Sequence, residues 1–154
     1  MSAPVRVLFV CSSGGHLDQL LALLPQPEGV DIAIATFLKP DAASKITGMR
    51  SYGLYWPTNR SIKALVINLK RALSVLRRER PAIIVSSGAA AAVPFFFAGK
   101  FLFRTKNVFV ECFDRVDNVT MTARLTKPVT DLYVCQWDTQ LPNYPHREQV
   151  TRSR

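Results

Sequence analysis

Six short, largely apolar runs of β-forming residues constrain the fold of this 154-residue chain more than any other feature. They read VRVLFVC, VDIAIATFL, GLYWP, AIIVSS, NVFVEC and DLYVCQW. They lack the polar alternation of a half-exposed strand, which indicates strands buried on both faces. Helical segments lie between them, among them HLDQLLALLP, the apolar AAAAVPFFFAGKFLF and VTMTARLT. This order predicts an α/β fold, a parallel sheet with helices on both faces.

The length and composition fit a single domain with a polar tail. We place the domain at residues 1–140 and the tail at 141–154, and we find no repeat, linker or signal-peptide pattern. Cys11, Cys112 and Cys135 are odd in number and lack metal-ligand spacing, which indicates a reducing cytoplasm. Each lies near the end of an apolar run, which favours a small buried side chain.

The formal net charge of +9 is concentrated in one part of the chain. Residues 60–106 contain ten Lys and Arg but a single acid, Glu79. Such a field attracts nucleic acid, anionic lipid headgroups or phosphorylated substrates. No nucleic-acid recognition motif or interleaved aromatic set accompanies the charge, so we predict no nucleic-acid partner.

The segment SIKALVINLKRALSVLRRER predicts a long amphipathic helix, with Ser61 as its N-cap and Pro81 as its terminator. Its apolar face carries Ile62, Leu65, Val66, Leu69, Leu73 and Leu76, and the opposite stripe carries Lys63, Lys70, Arg71, Arg77 and Arg78. A solvated face is the ordinary interpretation of such a stripe. The neighbouring FFFAGKFLFRTK segment, with Lys100, favours contact with an anionic membrane surface. The apolar stretch from Gly88 is interrupted at Lys100 and is shorter than the roughly 20 residues that span a bilayer.

Polar residues gather where the predicted strands end. Ligands of open parallel sheets bind outside the carboxyl ends of the strands, so we expect these residues to share one edge. The clusters are Ser12-Ser13-Gly14-Gly15-His16, Ser86-Ser87-Gly88, Glu111-Cys112-Phe113-Asp114-Arg115 with Asp117 and Asn118, and Gln136-Trp137-Asp138.

The glycine-rich loop after the first strand matches neither the P-loop nor the dinucleotide fingerprint. The second strand ends in Thr36-Phe37-Leu38 without the acid that a dinucleotide site uses, so we predict no nicotinamide or other cofactor. Two glycines at a helix N-terminus still allow close approach of a phosphate to free N–H groups. A purely structural glycine turn is the alternative.

His16 and Glu111 are the candidate catalytic residues. The positive end of the helix dipole favours a neutral imidazole at His16, as a general base for a hydroxyl requires. The alternative is a histidine that caps the loop or bonds a neighbouring carboxylate. Glu111 could orient His16, bind sugar hydroxyls or itself be the base. Asp114, Arg115 and Asp117 lie further out, where a self-paired surface loop is the alternative.

Four segments together resemble a known family. SSGGHLDQLL, VSSGAAAAVPFFFAGK, VFVECFDRVDNVTMTARL and DLYVCQWDTQLPNYP are similar to the acceptor-binding subunit of two-component GT-B glycosyltransferases. Eukaryotic relatives add the second N-acetylglucosamine of dolichol-diphosphate oligosaccharides, and bacterial relatives build capsular or exopolysaccharide units on undecaprenyl-diphosphate. The residues of these segments resemble the bacterial exopolysaccharide branch more than the eukaryotic one.

The resemblance implies a Rossmann-like fold, the N-terminal half of a GT-B enzyme, and a separate partner subunit that binds the UDP-sugar. A similar single-chain enzyme, which makes a lipid-linked peptidoglycan precursor, also has a glycine-rich loop ending in histidine. By this resemblance Gly14 and Gly15 approach the lipid diphosphate, and His16 is the base. Ser87 and Gly88 line the acceptor cleft, and Glu111 matches the acid ending the fifth strand. Ser12, Ser13, Asp114 and Arg115 complete the candidate acceptor-binding and phosphate-binding residues.

The expected reaction is inverting transfer from a UDP-sugar to a polyprenyl-diphosphate-linked acceptor. No metal is expected, because the chain has no Asp-x-Asp motif. Eukaryotic members carry an N-terminal membrane helix that this sequence lacks, so we expect peripheral attachment at the inner face of the cell membrane, through the basic helix and the phenylalanine-rich segment. Two alternatives stay open: a non-catalytic anchor or activator of the partner, and a free-standing nucleotide-binding protein.

Overall fold

The computed structural model describes residues 3–22, 28–58, 61–112, 119–135, 137, 139, 142 and 147–149. Seven parallel strands form one sheet in the order β3-β2-β1-β4-β5-β6-β7. The strands are β1 Val5–Val10, β2 Val30–Thr36, β3 Arg50–Gly53, β4 Ile83–Ser86, β5 Lys106–Val110, β6 Leu132–Cys135 and β7 Arg147–Gln149. The helices are α1 Gly15–Ala22, α2 Pro40–Lys45, α3 Ile62–Glu79, α4 Ala92–Ala98 and α5 Met121–Thr126. A π-helical turn, Gly99–Phe103, extends α4, and a 3₁₀ turn, Lys127–Val129, follows α5.

The strand order reverses between β1 and β4, because the chain first runs outward to β3 and then crosses back. Ligand sites of such doubly wound sheets lie at this switch point, outside the carboxyl ends of the strands. The predicted Rossmann-like fold is confirmed, and its switch point lies between the glycine-rich loop and the Ser86-Ser87-Gly88 segment.

The sheet is covered on both faces. Leu8, Ile84 and Phe109 of β1, β4 and β5 pack with the side of the sheet that α3, α4 and α5 cover. The neighbouring strand residues Phe9 and Val110 point the other way and pack with α1 and α2. Side chains that alternate between two buried faces explain why the strands lack polar residues. The three cysteines are buried, as predicted.

Several boundaries differ from the sequence prediction. The third strand was predicted at GLYWP, but β3 ends at Gly53. The Asn68 side chain of α3 accepts a hydrogen bond from Tyr55 N and donates to Tyr55 O, which holds the segment after β3 against α3. The structure also adds α2, and it places β7 within the segment predicted as a tail.

Helix α3 begins where it was predicted to begin, but the side that it turns to the core differs from the predicted apolar face. Ser61 is its N-cap and accepts a hydrogen bond from Ala64 N at 3.2 Å. Leu76 of the predicted apolar face is buried, whereas four residues of the first half are exposed: Ile62, Leu65, Val66 and Leu69. The buried side instead carries Ala64, Asn68, Ala72, Val75, Leu76 and Glu79. Small residues and the Asn68 hydrogen bonds permit close packing there, so the larger apolar side chains of the first half point outward.

Within the described ranges, no helix is long and apolar enough to cross a membrane. The predicted phenylalanine-rich helix divides into α4 and the π-helical turn. Phe95 and Phe96 are fully buried, whereas Phe101 and Leu102 are exposed.

Candidate functional site

The glycine-rich loop opens the carboxyl edge of the sheet at the end of β1. Gly14 has φ +81°, a backbone conformation that residues other than glycine rarely adopt, and α1 begins at the next residue. A Cβ added at Gly14 or Gly15 would meet no atom within 4 Å, so the backbone is open to an approaching group. Ser12 and Ser13 are partly exposed beside it. The loop can therefore present N–H groups and the positive end of the α1 dipole to an anion.

His16 lies in the first turn of α1 and is partly exposed. The Ser87 hydroxyl donates to the His16 carbonyl at 2.8 Å, which ties α1 to the end of β4. Gly88 lies against the ring, since a Cβ there would be 3.2 Å from His16 Cε1. Cys112 Sγ lies 3.3 Å from His16 Nδ1. The structure thus brings His16, Ser87 and Gly88 into contact with one another.

Glu111 directly follows β5 on the same edge, but its side chain is fully buried. One carboxylate oxygen, Oε1, accepts a hydrogen bond from Cys112 N at 3.1 Å. Gln19 of α1 donates to the Glu111 carbonyl at 2.7 Å, which joins α1 to β5 as Ser87 joins it to β4. Burial raises the pKa of the neighbouring Tyr133, and the charge of Glu111 adds to that rise. Glu111 therefore stands behind the surface of the site, whereas His16 reaches it.

Cys112 is the residue of this site that sequence reasoning missed. It was predicted only as a small buried side chain, and it is 6% exposed. Its thiol donates to Ser87 O at 3.2 Å while the sulfur contacts the imidazole of His16. The available signal was its position directly after Glu111, at the carboxyl end of a strand in the middle of the sheet.

Other predicted residues of this edge lie outside the described part of the chain. They are Phe113, Asp114, Arg115, Asp117, Asn118, Gln136 and Asp138. Ser87 was predicted to line the acceptor cleft. In the structure its side chain is fully buried, and its hydroxyl donates to the backbone carbonyl of His16.

The basic residues proposed for a membrane surface fall into two groups. Lys63 and Lys70 are exposed on the first half of α3, beside four exposed apolar residues that we call the α3 patch: Ile62, Leu65, Val66 and Leu69. The other four basic residues contact protein groups or lie further from the α3 patch. Arg71 donates to Gly53 O, Arg78 lies over the Tyr52 ring, Arg77 lines a groove of about 470 Å³ near Leu102, and Lys100 pairs with Asp131.

Comparison with known proteins gives a consistent assignment. A family model described as "Oligosaccharide biosynthesis protein Alg14 like" matches residues 44–152. A UDP-N-acetylglucosamine transferase subunit ALG14 of Yarrowia lipolytica is 24% identical over 143 residues, covering 89% of this chain and 63% of the relative. The subunit of the same name from Eremothecium gossypii is 27% identical over 164 residues, covering 87% and 73%.

Two solved structures share the fold at low identity. MurG of Acinetobacter baumannii superposes with a TM-score of 0.71 at 18% identity, covering 96% of this chain and 44% of that chain. A UDP-N-acetylglucosamine 2-epimerase from Rickettsia bellii gives 0.71 at 12% identity, covering 95% and 44%. The chain thus spans less than half of these structures and less than two thirds of the Yarrowia relative. Because the family model matches most of its length, the chain belongs to the Alg14-like family of oligosaccharide biosynthesis proteins.

Proposed function

We propose that this chain is the acceptor-binding subunit of a membrane-associated inverting glycosyltransferase. It acts with a partner subunit that binds the UDP-sugar, and the acceptor is a polyprenyl-diphosphate-linked saccharide. The observation that carries the proposal is the partly exposed His16 beside the open Gly14-Gly15 backbone, at the switch point of the sheet. The names of the curated relatives, which are transferase subunits, support a partner chain.

The acceptor diphosphate binds at the N-terminus of α1. Gly14 and Gly15 leave the space above the backbone empty, and the free N–H groups of a first helical turn favour an anion. Ser12 and Ser13, both partly exposed, add hydroxyl donors next to this turn. The diphosphate then holds the acceptor sugar near His16.

His16 acts as the general base. It takes the proton of the acceptor hydroxyl, the oxygen forms a bond to the anomeric carbon, and the bond from that carbon to UDP breaks with both electrons leaving on UDP. Attack from the face opposite UDP inverts the anomeric centre. Complete burial of Glu111 favours His16 over Glu111 as the group that touches the acceptor. Glu111 holds the end of β5 in place through the Cys112 N–H.

Membrane attachment occurs through the α3 patch with Lys63 and Lys70. Helix α3 follows the end of β3, so its first half lies toward the same edge of the sheet as His16. Exposed apolar residues flanked by lysines suit the boundary between lipid headgroups and acyl chains. We further assign the chain to exopolysaccharide or capsule biosynthesis at the inner face of the cell membrane, on the resemblance of its motifs to the bacterial branch.

Membranes from cells that carry only a variant gene test the catalytic proposal. Transfer of labelled sugar from UDP-N-acetylglucosamine to lipid-linked acceptor is compared between these membranes and membranes that carry the wild-type chain. We expect His16→Asn to lower the rate by about 100-fold or more, since general bases contribute about 10²–10⁴-fold. His146→Asn, at the other histidine of the chain, is the matched control and should leave the rate unchanged.

A double variant separates the catalytic subunit from a non-catalytic anchor. If membranes with both His16→Ala and Glu111→Gln transfer sugar at the wild-type rate, the chain only anchors or activates its partner. Glu111→Gln keeps an oxygen acceptor for Cys112 N, so the fold at the end of β5 is preserved. Binding of UDP-sugar by the isolated chain would instead support the free-standing nucleotide-binding alternative.

A further inference from the structure

The thiol of Cys112 has one proton, and the geometry indicates where it lies. Sγ is 3.2 Å from the Ser87 carbonyl oxygen, to which it donates. A carbonyl oxygen carries only lone pairs, so the proton of this pair belongs to the thiol. The sulfur therefore turns its own lone pairs toward its other neighbours.

One of those neighbours is the imidazole of His16. The sulfur lies 3.3 Å from Nδ1 and 3.9 Å from Nε2, so it faces the Nδ1 side of the ring. Sulfur lone pairs next to Nδ1 favour the tautomer with the proton on Nδ1. They attract an Nδ1–H proton, whereas they would repel a lone pair on Nδ1. The contact of one ring nitrogen sets the state of the other, which leaves Nε2 unprotonated.

Two further contacts fix the position of the ring. The Ser87 hydroxyl holds the His16 backbone through the carbonyl at 2.8 Å. The bare Cα of Gly88 packs on the ring, where a Cβ would lie 3.2 Å from Cε1 and 3.6 Å from Nδ1. Cys112 and Gly88 thus pack against the Nδ1 and Cε1 atoms of this partly exposed side chain.

We propose that Cys112 is a positioning residue, which holds His16 in the tautomer with Nδ1 protonated and the free lone pair on Nε2. A base needs a free lone pair on the nitrogen that meets the acceptor hydroxyl. Free histidine favours the opposite tautomer, with the proton on Nε2. The catalytic meaning of this assignment rests on the proposed function, but the tautomer itself does not.

The tautomer is measured on the full chain labelled with ¹⁵N-histidine. With two histidines in the chain, two sets of ring resonances are expected, and His146→Asn assigns them. Spectra are taken at about pH 8, where an ordinary histidine side chain is neutral. We expect the unprotonated nitrogen of His16 to be Nε2.

Substitutions of Cys112 then test the cause. Cys112→Ala should move the tautomer ratio about tenfold toward protonated Nε2, the scale of one lost polar contact. Cys112→Ser keeps a donor for Ser87 O and lone pairs for Nδ1, and should restore the ratio at least in part. Cys135→Ala, at a buried cysteine of β6, is the matched control and should leave it unchanged.

Two outcomes would overturn the assignment: protonated Nε2 in the wild type, or an unchanged ratio in Cys112→Ala with an intact backbone spectrum. A doubly protonated ring at this pH would also overturn it, because it would mean a thiolate–imidazolium pair. If the tautomer is as expected but His16→Asn transfers sugar normally, the positioning is real and the proposed function fails. The transfer assay adds a kinetic readout, in which Cys112→Ala lowers kcat and leaves KM unchanged.

Discussion

At the scale of single residues, the site depends on how closely Gly88 approaches His16. Gly88 has φ +116° and lies beneath the imidazole, so it combines a backbone conformation that favours glycine with a lack of room for a side chain. The residue after it, Ala89, also has a positive φ of 82°. This strained turn directs the end of β4 against the first turn of α1. Strain of this kind concentrates at functional sites.

Gly88→Ala should therefore impair transfer beyond its effect on stability. Its Cβ would lie 3.2 Å from His16 Cε1, and a displaced base can cost about 100-fold in rate. Gly48→Ala is the matched control, since Gly48 has φ +81° and no atom within 4 Å of an added Cβ. Both variants should lose about 1 kcal/mol of unfolding free energy. The idea fails if thermal melts show equal destabilisation and the two variants also transfer sugar equally.

At the scale of elements, α3 has a buried side of small and polar residues and an exposed side of larger apolar ones. Asn68 makes two hydrogen bonds to the backbone of Tyr55, and Glu79 accepts from Arg50 Nε at 3.1 Å and from the Tyr52 hydroxyl. These polar contacts anchor both halves of the helix to the segment around β3. The α3 patch thereby remains on the surface.

Replacing two leucines of the α3 patch should weaken membrane binding. We expect Leu65→Ser with Leu69→Ser to lower the affinity for anionic vesicles by about tenfold, because apolar burial contributes about 25 cal/mol per Å². Leu125→Ser on α5 is the matched control, since Leu125 is as exposed as either leucine, at 54% against 46% and 40%. Co-sedimentation with the vesicles measures the affinity. Thermal unfolding of each variant checks that its melting temperature matches that of the wild type. An equal loss of vesicle affinity in the double variant and in the Leu125→Ser control would contradict a role of the α3 patch.

The Lys100–Asp131 pair ties the π-helical turn to the start of β6, at the edge opposite His16. Asp131 Oδ2 also accepts from Asn107 N at 2.8 Å. Burial acts to raise the pKa of Asp131, but the hydrogen bonds from Lys100 and Asn107 and the charges of Lys100 and Lys106 outweigh it, so the pKa is lowered. A lowered carboxyl pKa contributes stability above the unfolded value of 3.8, and this contribution is lost as the pH falls through the folded value.

Asp131→Asn should therefore destabilise the chain near neutral pH and have little effect in acid. At about pH 7 we expect a loss of about 1 kcal/mol in unfolding free energy, because the side chain is a quarter exposed and solvent screens the pair. At about pH 3, below the unfolded value, the difference between the wild type and the variant should be smaller than at neutral pH. Denaturant unfolding at both pH values measures this, with Asp41→Asn on exposed α2 as control. A difference that grows in acid would reverse the assigned sign.

At the scale of the whole molecule, the net charge of +9 and the direction of α3 act together. In the proposed membrane attachment, this charge attracts the chain to an anionic surface over the range of the Debye length, about 8 Å at physiological salt. Under the same proposal, the α3 patch determines which side of the chain meets the lipid. Helix α3 begins at the carboxyl edge, so a membrane-bound chain holds the Gly14–His16 edge near the headgroups.

Vesicle binding should therefore depend on lipid charge, on salt and on the position of the lysines. We expect binding to anionic vesicles to exceed that to neutral ones and to fall between about 0.1 and about 0.5 M salt. Lys63→Glu with Lys70→Glu should weaken it more than Arg6→Glu with Lys106→Glu, exposed residues at the opposite edge of the sheet. The two double variants have the same net charge. Equal affinity for anionic and neutral vesicles would contradict peripheral electrostatic attachment.

The linear pattern was sufficient for the layered fold and for the edge that carries the site. Strands β1, β2, β4, β5 and β6 were recognisable because a strand buried on both faces must be apolar throughout. Parallel strands place their carboxyl ends on one edge, which was enough to group His16, Ser87 and Glu111. Each of these inferences depends on residues close together in the chain or on a rule of connection, not on a specific distant contact.

Only the tertiary structure decided which groups touch. Amphipathic spacing placed Leu65 and Leu69 on one face of α3, but the hydrogen bonds of Asn68 to a segment 13 residues away decided that this face is exposed. Cys112 and His16 are 96 residues apart, and no local pattern indicates that a buried thiol meets the imidazole. Contacts at such separations depend on how whole layers pack, and many sequences with the same apolar pattern pack them differently.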